Sequence, residues 1–343
     1  MAGLKAIKTK IRSVEKTQTV TKAMEAVSAA KMRKAQSSAL AGRAYARAAV
    51  SVLARVSGSN VLQNHKLTRG AATVFAAPTS NRAGADTEVI SAASPRRPAA
   101  EESTSVSAPG FERALYIVIT SDKGLAGAVN SAVLRATAAD IKSLNLKPEQ
   151  VLIIAVGKKA NEFFLTRGYQ VVVYHPNTPD LTDEIVDELV NEVAFRFADN
   201  VVDIVKIAYQ NFISTFEQRA TLRTVFPLML SELQKVVEDI TPKKGAFAHS
   251  EEVAVNPPLY TVEPSEEEVF NVILPKLAGI FVYHALLESQ ASEHSARMVA
   301  MKSASDKAEE MEHTLTLQFN KARQAAITRE VSEITGGMEA MAA

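Results

Sequence analysis

The feature that most limits this chain is its C-terminal stretch, residues 277–341, which is long, periodically apolar and almost free of helix breakers. No proline follows Pro275, and Gly279 is the only glycine before Gly336. At about 1.5 Å per residue, a helix over 275–335 would be roughly 90 Å long, several times the width of a small domain. Such a helix cannot bury itself within one domain. Its apolar marks fall at Ile280, Leu287, Ala291, Met298, Met301, Ala308, Leu315, Phe319, Ala322 and Ala326, in steps of three, four and seven. That spacing is the seam of a helix that needs a partner helix. Glu288, Glu293, Arg297, Lys302, Asp306, Lys307, Glu309, Glu310, Glu312, Lys321 and Arg323 lie between the marks and are expected to wet the other faces.

The N-terminal stretch supplies the partner. From Met1 to Arg55 there is no proline, and the only glycines are Gly3 and Gly42. Leu4, Ile7, Ile11 and Val14 keep heptad spacing, which is then expected to shift by one residue to Val20, Met24 and Val27. A helix over 1–55 would be roughly 80 Å long. It carries seven lysines and five arginines against only Glu15 and Glu25, a charge of +10 in a chain whose total is +1. One reading is a solvated lysine-rich face; the others are a nucleic acid, an anionic membrane or a ring of acidic protein loops. Tyr45 is the only aromatic in the stretch, which disfavours single-stranded nucleic acid, since that needs stacking platforms.

Between the ends the pattern changes twice. Residues 66–110 are dominated by Ala, Ser, Thr, Pro, Arg and Gly, as in Ala93-Ser94-Pro95-Arg96-Arg97-Pro98, and are expected to form a mobile surface insertion. Residues 115–120 (LYIVIT) then open an alternation of strand and helix patterns. Strands are expected at 151–156, 170–174, 204–212 and near 219–225, with helices at 127–144, 158–167 and 182–199. Strand, helix, strand at this spacing predicts a small open sheet, mostly parallel and covered by helices. Ser265 reads as a helix cap with Glu268 closing the capping box, and Pro275 as the end or kink of that short helix and the start of the long one.

The chemistry of a self-contained enzyme does not emerge. Gly124-Leu125-Ala126-Gly127 lacks the three-glycine dinucleotide fingerprint and reads as a tight strand-to-helix turn. Gly157-Lys158 ends like a phosphate loop, but Leu152 and Lys159 stand where glycine and a hydroxyl residue are required. His65, His175, His249, His284, His294 and His313 show no metal-ligand spacing. The chain has no cysteine, so disulfides, thiolate catalysis and Cys-ligated zinc are excluded. There is no nucleophile elbow. No catalytic, cofactor or metal residue is therefore nominated. No uninterrupted apolar run reaches membrane-spanning length and no signal peptide opens the chain, so a cytosolic or cytosol-facing protein is expected.

Two terminal helices paired around an inserted α/β domain make an unusual plan, and the motifs resemble those of the gamma subunit of F-type ATP synthases. Ile11-Arg12-Ser13-Val14, Thr21-Lys22-Ala23-Met24-Glu25 and Lys31-Met32-Arg33-Lys34 are similar to that family's first shaft helix. Thr120-Ser121-Asp122-Lys123-Gly124-Leu125-Ala126-Gly127 resembles the loop after its first strand, and Asn211-Phe212-Ile213-Ser214 a later strand. Most specific are Ala296-Arg297-Met298-Val299-Ala300-Met301-Lys302 and the run from Asn320-Lys321-Ala322-Arg323-Gln324 to Ile327-Thr328-Arg329-Glu330-Val331-Ser332-Glu333. Met338 departs from the family's usual alanine, Ala126 from the cysteine of some members, and the insertion is longer than usual.

The resemblance implies an α/β fold with a long antiparallel coiled coil, the terminal helices forming a shaft around an inserted Rossmann-like open sheet. Its expected parts are a shaft helix over 1–57, a flexible insertion over 58–111, the α/β domain over 112–244, a foot loop and short helix over 245–275, and the second shaft helix over 276–343. The implied partners are the alpha and beta subunits, the epsilon subunit and the membrane c-ring, with no nucleic acid and no cofactor. Lys22, Met24 and Arg297 are implied to lie near acidic beta-subunit loops. Arg323, Gln324, Thr328 and Glu330 are implied to meet the upper bearing and its catch loops, and Tyr260 the rotor ring or epsilon subunit. The implied place is the cytoplasmic face of a bacterial inner membrane rather than a mitochondrial one. A scaffold or nucleic-acid-binding rod, and a nucleotide-dependent enzyme built on the α/β domain, are the rival readings.

Overall fold

The computed structural model describes residues 2–41, 65–68, 112–178, 183–229, 263 and 265–342. The elements are α1 (Ala2–Ala41), β1 (Ala114–Ile119), α2 (Val129–Ser143), β2 (Val151–Val156), α3 (Lys158–Leu165), β3 (Gln170–His175), α4 (Asp183–Ala198), β4 (Ile204–Phe212), β5 (Gln218–Phe226) and α5 (Glu266–Ala342). The five strands lie in the order β3-β2-β1-β4-β5. All neighbours are parallel except β4 and β5, which pair antiparallel through the hairpin at 213–217.

The alternation of β1 explains the layers. Leu115, Ile117 and Ile119 face one core with Val186, Leu189, Val190 and Val193 of α4 and Phe270, Leu274, Leu277, Phe281 and Val282 of α5. Tyr116 and Val118 face the other core, with Val133, Leu134 and Ile141 of α2 and Ala160 and Phe164 of α3. A strand buried on both faces must be apolar throughout, which is why β1 and β2 read as unbroken apolar runs rather than alternating ones. Gly157, at the turn from β2 into α3, has φ 94°, and a Cβ there would stand 2.1 Å from the Thr120 carbonyl oxygen. Its role is to let two strand ends approach, not to hold a phosphate.

The two long helices run antiparallel. Gln18 Nε2 donates to Glu309 Oε2 at 3.2 Å, while Lys31, further along α1, lies beside Glu293 and His294, earlier in α5. The α5 seam lies where the spacing puts it: Leu287, Ala291, Met301 and Ala308 are buried, and Ile280, Met298, Leu315, Phe319, Ala322 and Ala326 half-buried. Counting outward from Gln18 and Glu309, α1 begins before α5 ends. The last turns of α5, from 327 to 338, are exposed on all sides.

Several expectations are corrected. The seam of α1 does not shift: buried or half-buried positions continue at Gln18, Thr21, Glu25, Ser28, Met32 and Ala35, and of the three expected shifted positions Met24 is half-buried while Val20 and Val27 are 57% and 56% exposed. The register is held by the partner helix, and the polar seam residues are satisfied locally, Thr21 and Ser28 donating to the carbonyls of Gln18 and Met24. Pro275 lies inside a continuous 77-residue helix, so the short helix and the shaft are one element. Phe270, Leu274, Leu277 and Phe281, buried on both sides of the proline, hold the helix against the sheet across the lost hydrogen bond. Ser265 does cap it, its Oγ accepting from the Glu268 N–H at 3.3 Å.

Leu67 is 5% exposed in the α4–α5 core, its carbonyl accepting from the Leu228 N–H, so the expected insertion does not begin at 66. Tyr260, residues 42–57 and residues 69–111 lie outside the described part of the chain. One stretch of α5 is apolar enough on average to cross a membrane, despite lacking an unbroken apolar run, and 56% of it is buried in the protein.

Candidate functional site

Two surfaces carry the functional argument: the outside of the shaft, and the junction where α5 passes the α/β domain. At the junction α5 lies across the carboxyl ends of β1, β3 and β4. Gln290 Nε2 donates to Asn177 Oδ1 at 3.1 Å and to the Thr178 carbonyl at 2.8 Å, just after β3. Ser292 Oγ donates to the Gln210 carbonyl of β4 at 3.1 Å, and Ser295 Oγ to Thr215 in the following hairpin at 2.7 Å. Asn177 Nδ2 in turn donates to the Thr120 carbonyl at the end of β1, at 2.8 Å. In sheets of this type ligands enter at the carboxyl ends of strands. Here the chain's own helix lies there.

Below this row sits a buried ionisable group of residues. His284 Nε2 and Glu288 Oε1 are 3.6 Å apart, with Tyr209 of β4 and Arg223 of β5 beside them. Burial pushes the Glu288 carboxyl up to about 8, partly opposed by Arg223 and by a hydrogen bond with Tyr209. Burial, reinforced by Arg223, holds His284 down to about 4. A neutral acid beside a neutral imidazole is the state such a site favours, because ionising either group would strand charge in a medium that solvates it poorly.

Arg297, expected at a partner's acidic loops, is 8% exposed and engaged within the chain. Its Nη2 donates to Glu293 Oε1 at 2.6 Å and reaches the Gly124 carbonyl at 3.4 Å, while Nη1 lies 3.1 Å from His294 Nδ1. Burial raises the Glu293 pKa against the pull of Arg297. Burial, with Arg297 and Lys31, lowers that of His294 to about 4. The loop it touches turns through Leu125 at φ 64° and Gly127 at φ 59°, the tight turn expected of it.

The other expected contact residues lie on the shaft. Lys22 is exposed and Met24 half-buried on α1, while Arg323, Gln324, Thr328 and Glu330 are exposed near the end of α5. Around Met24, Val20 and Val27 form an exposed apolar stripe; at the end of α5, Ile327, Val331, Ile334 and Met338 form another. Exposed apolar side chains grouped at helical spacing mark contact surfaces.

Sequence reasoning missed the junction. Glu288, Glu293 and Arg297 were expected on wet faces and are buried or nearly so, because the α/β domain encloses α5 at that height. One signal was available: Glu288, Ser292 and Ser295 follow one another by four and three residues, the spacing of a face that packs.

A family model described as ATP synthase matches residues 3–341. Among solved structures, a chain from the Tetrahymena thermophila mitochondrial ATP synthase central stalk and c-ring is similar at 21% identity and TM-score 0.52, covering 83% of this chain and 99% of that one. A chain from the Euglena gracilis mitochondrial ATP synthase OSCP/F1/c-ring structure, rotational state 3, is similar at 19% identity and TM-score 0.57, covering 99% of this chain and 95% of that one. A chain from the rotor of the same organism's enzyme, rotational state 1, shares 16% identity with TM-score 0.53, over 95% of this chain and 99% of that one. The structural likenesses establish the fold, and the match along almost the whole sequence establishes the descent: this chain belongs to the ATP synthase gamma-subunit family.

Proposed function

We propose that the chain is the central rotor shaft of an F-type ATP synthase, coupling ion flow through a membrane rotor to ATP synthesis or hydrolysis on the alpha and beta subunits. The observation that carries this reading is the axle itself. Both ends of the chain wind into one antiparallel pair, fixed at one end to a folded domain, with the last turns of α5 exposed beyond it. A two-helix rod has no threefold symmetry, so each orientation inside a ring of three like sites favours a different state at each. Moving a site from 1:99 to 99:1 between two states takes about 5.5 kcal/mol of differential contact, supplied by shaft surface that comes and goes as it turns.

On this reading Lys22 and Met24, with the Val20 and Val27 stripe, meet acidic beta-subunit loops, which suits the +10 of the N-terminal stretch. Arg323, Gln324, Thr328 and Glu330 meet the upper bearing. Arg297 acts at the same height as the loops but through Glu293 and the 122–127 turn. Tyr260 and the foot face the c-ring and the epsilon subunit. The subunit contributes no catalytic group, and the nucleotide chemistry belongs to its partners.

The test is to purify the chain from its own cells and assay what accompanies it. The expected result is stoichiometric co-elution with two nucleotide-binding subunits in an ATP-hydrolysing complex. A chain that elutes alone and binds duplex DNA with a steep salt dependence would replace this reading with the nucleic-acid rod.

A further inference from the structure

The buried polar side chains on α5 at the junction are arranged in a way that packing alone does not require. At about 100° per residue, Gln290 and Arg297 project within about 20° of each other. Ser292 and Ser295 project within about 60° of each other, on the opposite side of the helix. The first pair bonds to the loops after β3 and β1, the second to β4 and its hairpin. The helix is therefore held from two sides at one height.

Most of the acceptors are backbone carbonyl oxygens: Thr178, Gln210, Thr215 and Gly124. A carbonyl in or beside a strand cannot follow a turning helix unless the sheet moves too. Below the junction, α5 meets the sheet through Phe270, Leu274, Leu277, Phe281 and Val282, and that apolar contact has no direction of its own. Above it, α5 pairs with α1. Among the described residues, the directional links between domain and shaft are densest in this short collar, with the Glu288–Tyr209 hydrogen bond just below it and His65–Asn271 further down.

We infer that Gln290, Ser292, Ser295 and Arg297 form a torsional key, fixing the rotational phase of the α/β domain on the shaft so that torque applied to one turns the other. They are positioning residues, since they touch neither nucleotide nor ion. The inference rests on the shaft reading and deepens it. Ser292 and Ser295 are fully buried and Gln290 and Arg297 nearly so, so the bonds are shielded from water and gain in strength and direction.

The test uses the whole complex in inverted vesicles, measuring proton pumping per ATP hydrolysed. Gln290→Met removes the bonds of one side at nearly constant volume, and Ser292→Ala with Ser295→Ala removes those of the other. With all three changes, which remove four hydrogen bonds, pumping per ATP should fall at least about fivefold, the factor that a single net hydrogen bond gives, while hydrolysis and the amount of complex hold. Each one-sided variant should fall less. An assembled triple variant with the unaltered ratio overturns the key. Should the triple variant not assemble, the one-sided variants decide: a lowered ratio in either supports the key, and the unaltered ratio in both removes it. If the unaltered chain never associates with ATP hydrolysis, it is the shaft reading that fails.

Discussion

Met301→Asp is expected to separate the two shaft helices, whereas Val27→Asp leaves them paired and weakens only the grip of the surrounding subunits. Met301 is 5% exposed in the α1–α5 seam. Burying an unpaired charge or neutralising it, together with the lost thioether packing, costs on the order of 3–5 kcal/mol. Val27, 56% exposed on α1, has no such context, and its change should stay within about 0.5 kcal/mol. On the proposed reading the order reverses in the complex: Val27→Asp would set a new carboxylate against acidic partner loops and should lower retention of the chain, most at low ionic strength where the repulsion is least screened. Thermal unfolding followed by far-ultraviolet circular dichroism reads the first effect, and co-elution the second. Equal losses of melting temperature in the two variants would contradict the assignment of seam and surface.

A stability maximum near pH 6.5 is the second large effect. His284 has its pKa lowered from 6.5 to about 4, so the unfolded chain takes up a proton there that the folded chain refuses, and stability is lost as pH falls from 6.5 to 4. His294, lowered to about 4, acts in the same direction. Glu288 has its pKa raised from 4.5 to about 8, so the folded chain keeps a proton that the unfolded chain releases, and stability is lost as pH rises from 4.5 to 8. Between 4.5 and 6.5 the histidines offset the glutamate. Above 6.5 the histidines no longer oppose it, and Glu288 contributes a slope of about 1.4 kcal/mol per pH unit for one proton. Glu288→Gln should flatten that alkaline limb and steepen the rise between pH 4.5 and 6.5, where the glutamate no longer opposes the histidines. Denaturant melts from pH 4 to 9 would show this, and an unchanged fall above 6.5 in the variant would remove Glu288 from the account.

How much of this was legible in the sequence depended on whether the determinant was local. The strand at 151–156 could be bounded from its own residues, because a doubly buried strand must be apolar at every position, and the one at 204–212 from a largely apolar run interrupted by Lys206, Gln210 and Asn211. The seam of α5 could be read likewise, since a heptad pattern declares its own period. The seam of α1 could not. Its second half is built from Gln18, Thr21, Glu25 and Ser28, which look like surface, while Val20 and Val27 look like core and are not. Only the partner helix fixes which face turns inward.

The junction was hidden for a similar reason. Glu288, Glu293 and Arg297 are charged residues on a long helix, and within the helix only the spacing of Glu288, Ser292 and Ser295 hints that a domain closes around it there. Leu67 lay in a stretch whose composition promised no core, yet it fills a gap between α4 and α5 that belongs to distant sequence. Pro275 was read by its local effect, and the apolar contacts on either side of it outweighed that effect. The partner-contact residues are proposed from family motifs, and the structure adds which of them are exposed on the shaft and which, like Arg297, are engaged within the chain.

Rotation itself gives the most direct test. The chain has no cysteine, so Glu149→Cys on the exposed side of the α/β domain provides a unique site for a bead. With the ring of partner subunits fixed to a surface and ATP supplied, the account predicts that the bead turns in one direction in discrete steps and stops when ATP is exhausted. A complex that hydrolyses ATP at its full rate while the bead stays still, or merely jitters without direction, would contradict it.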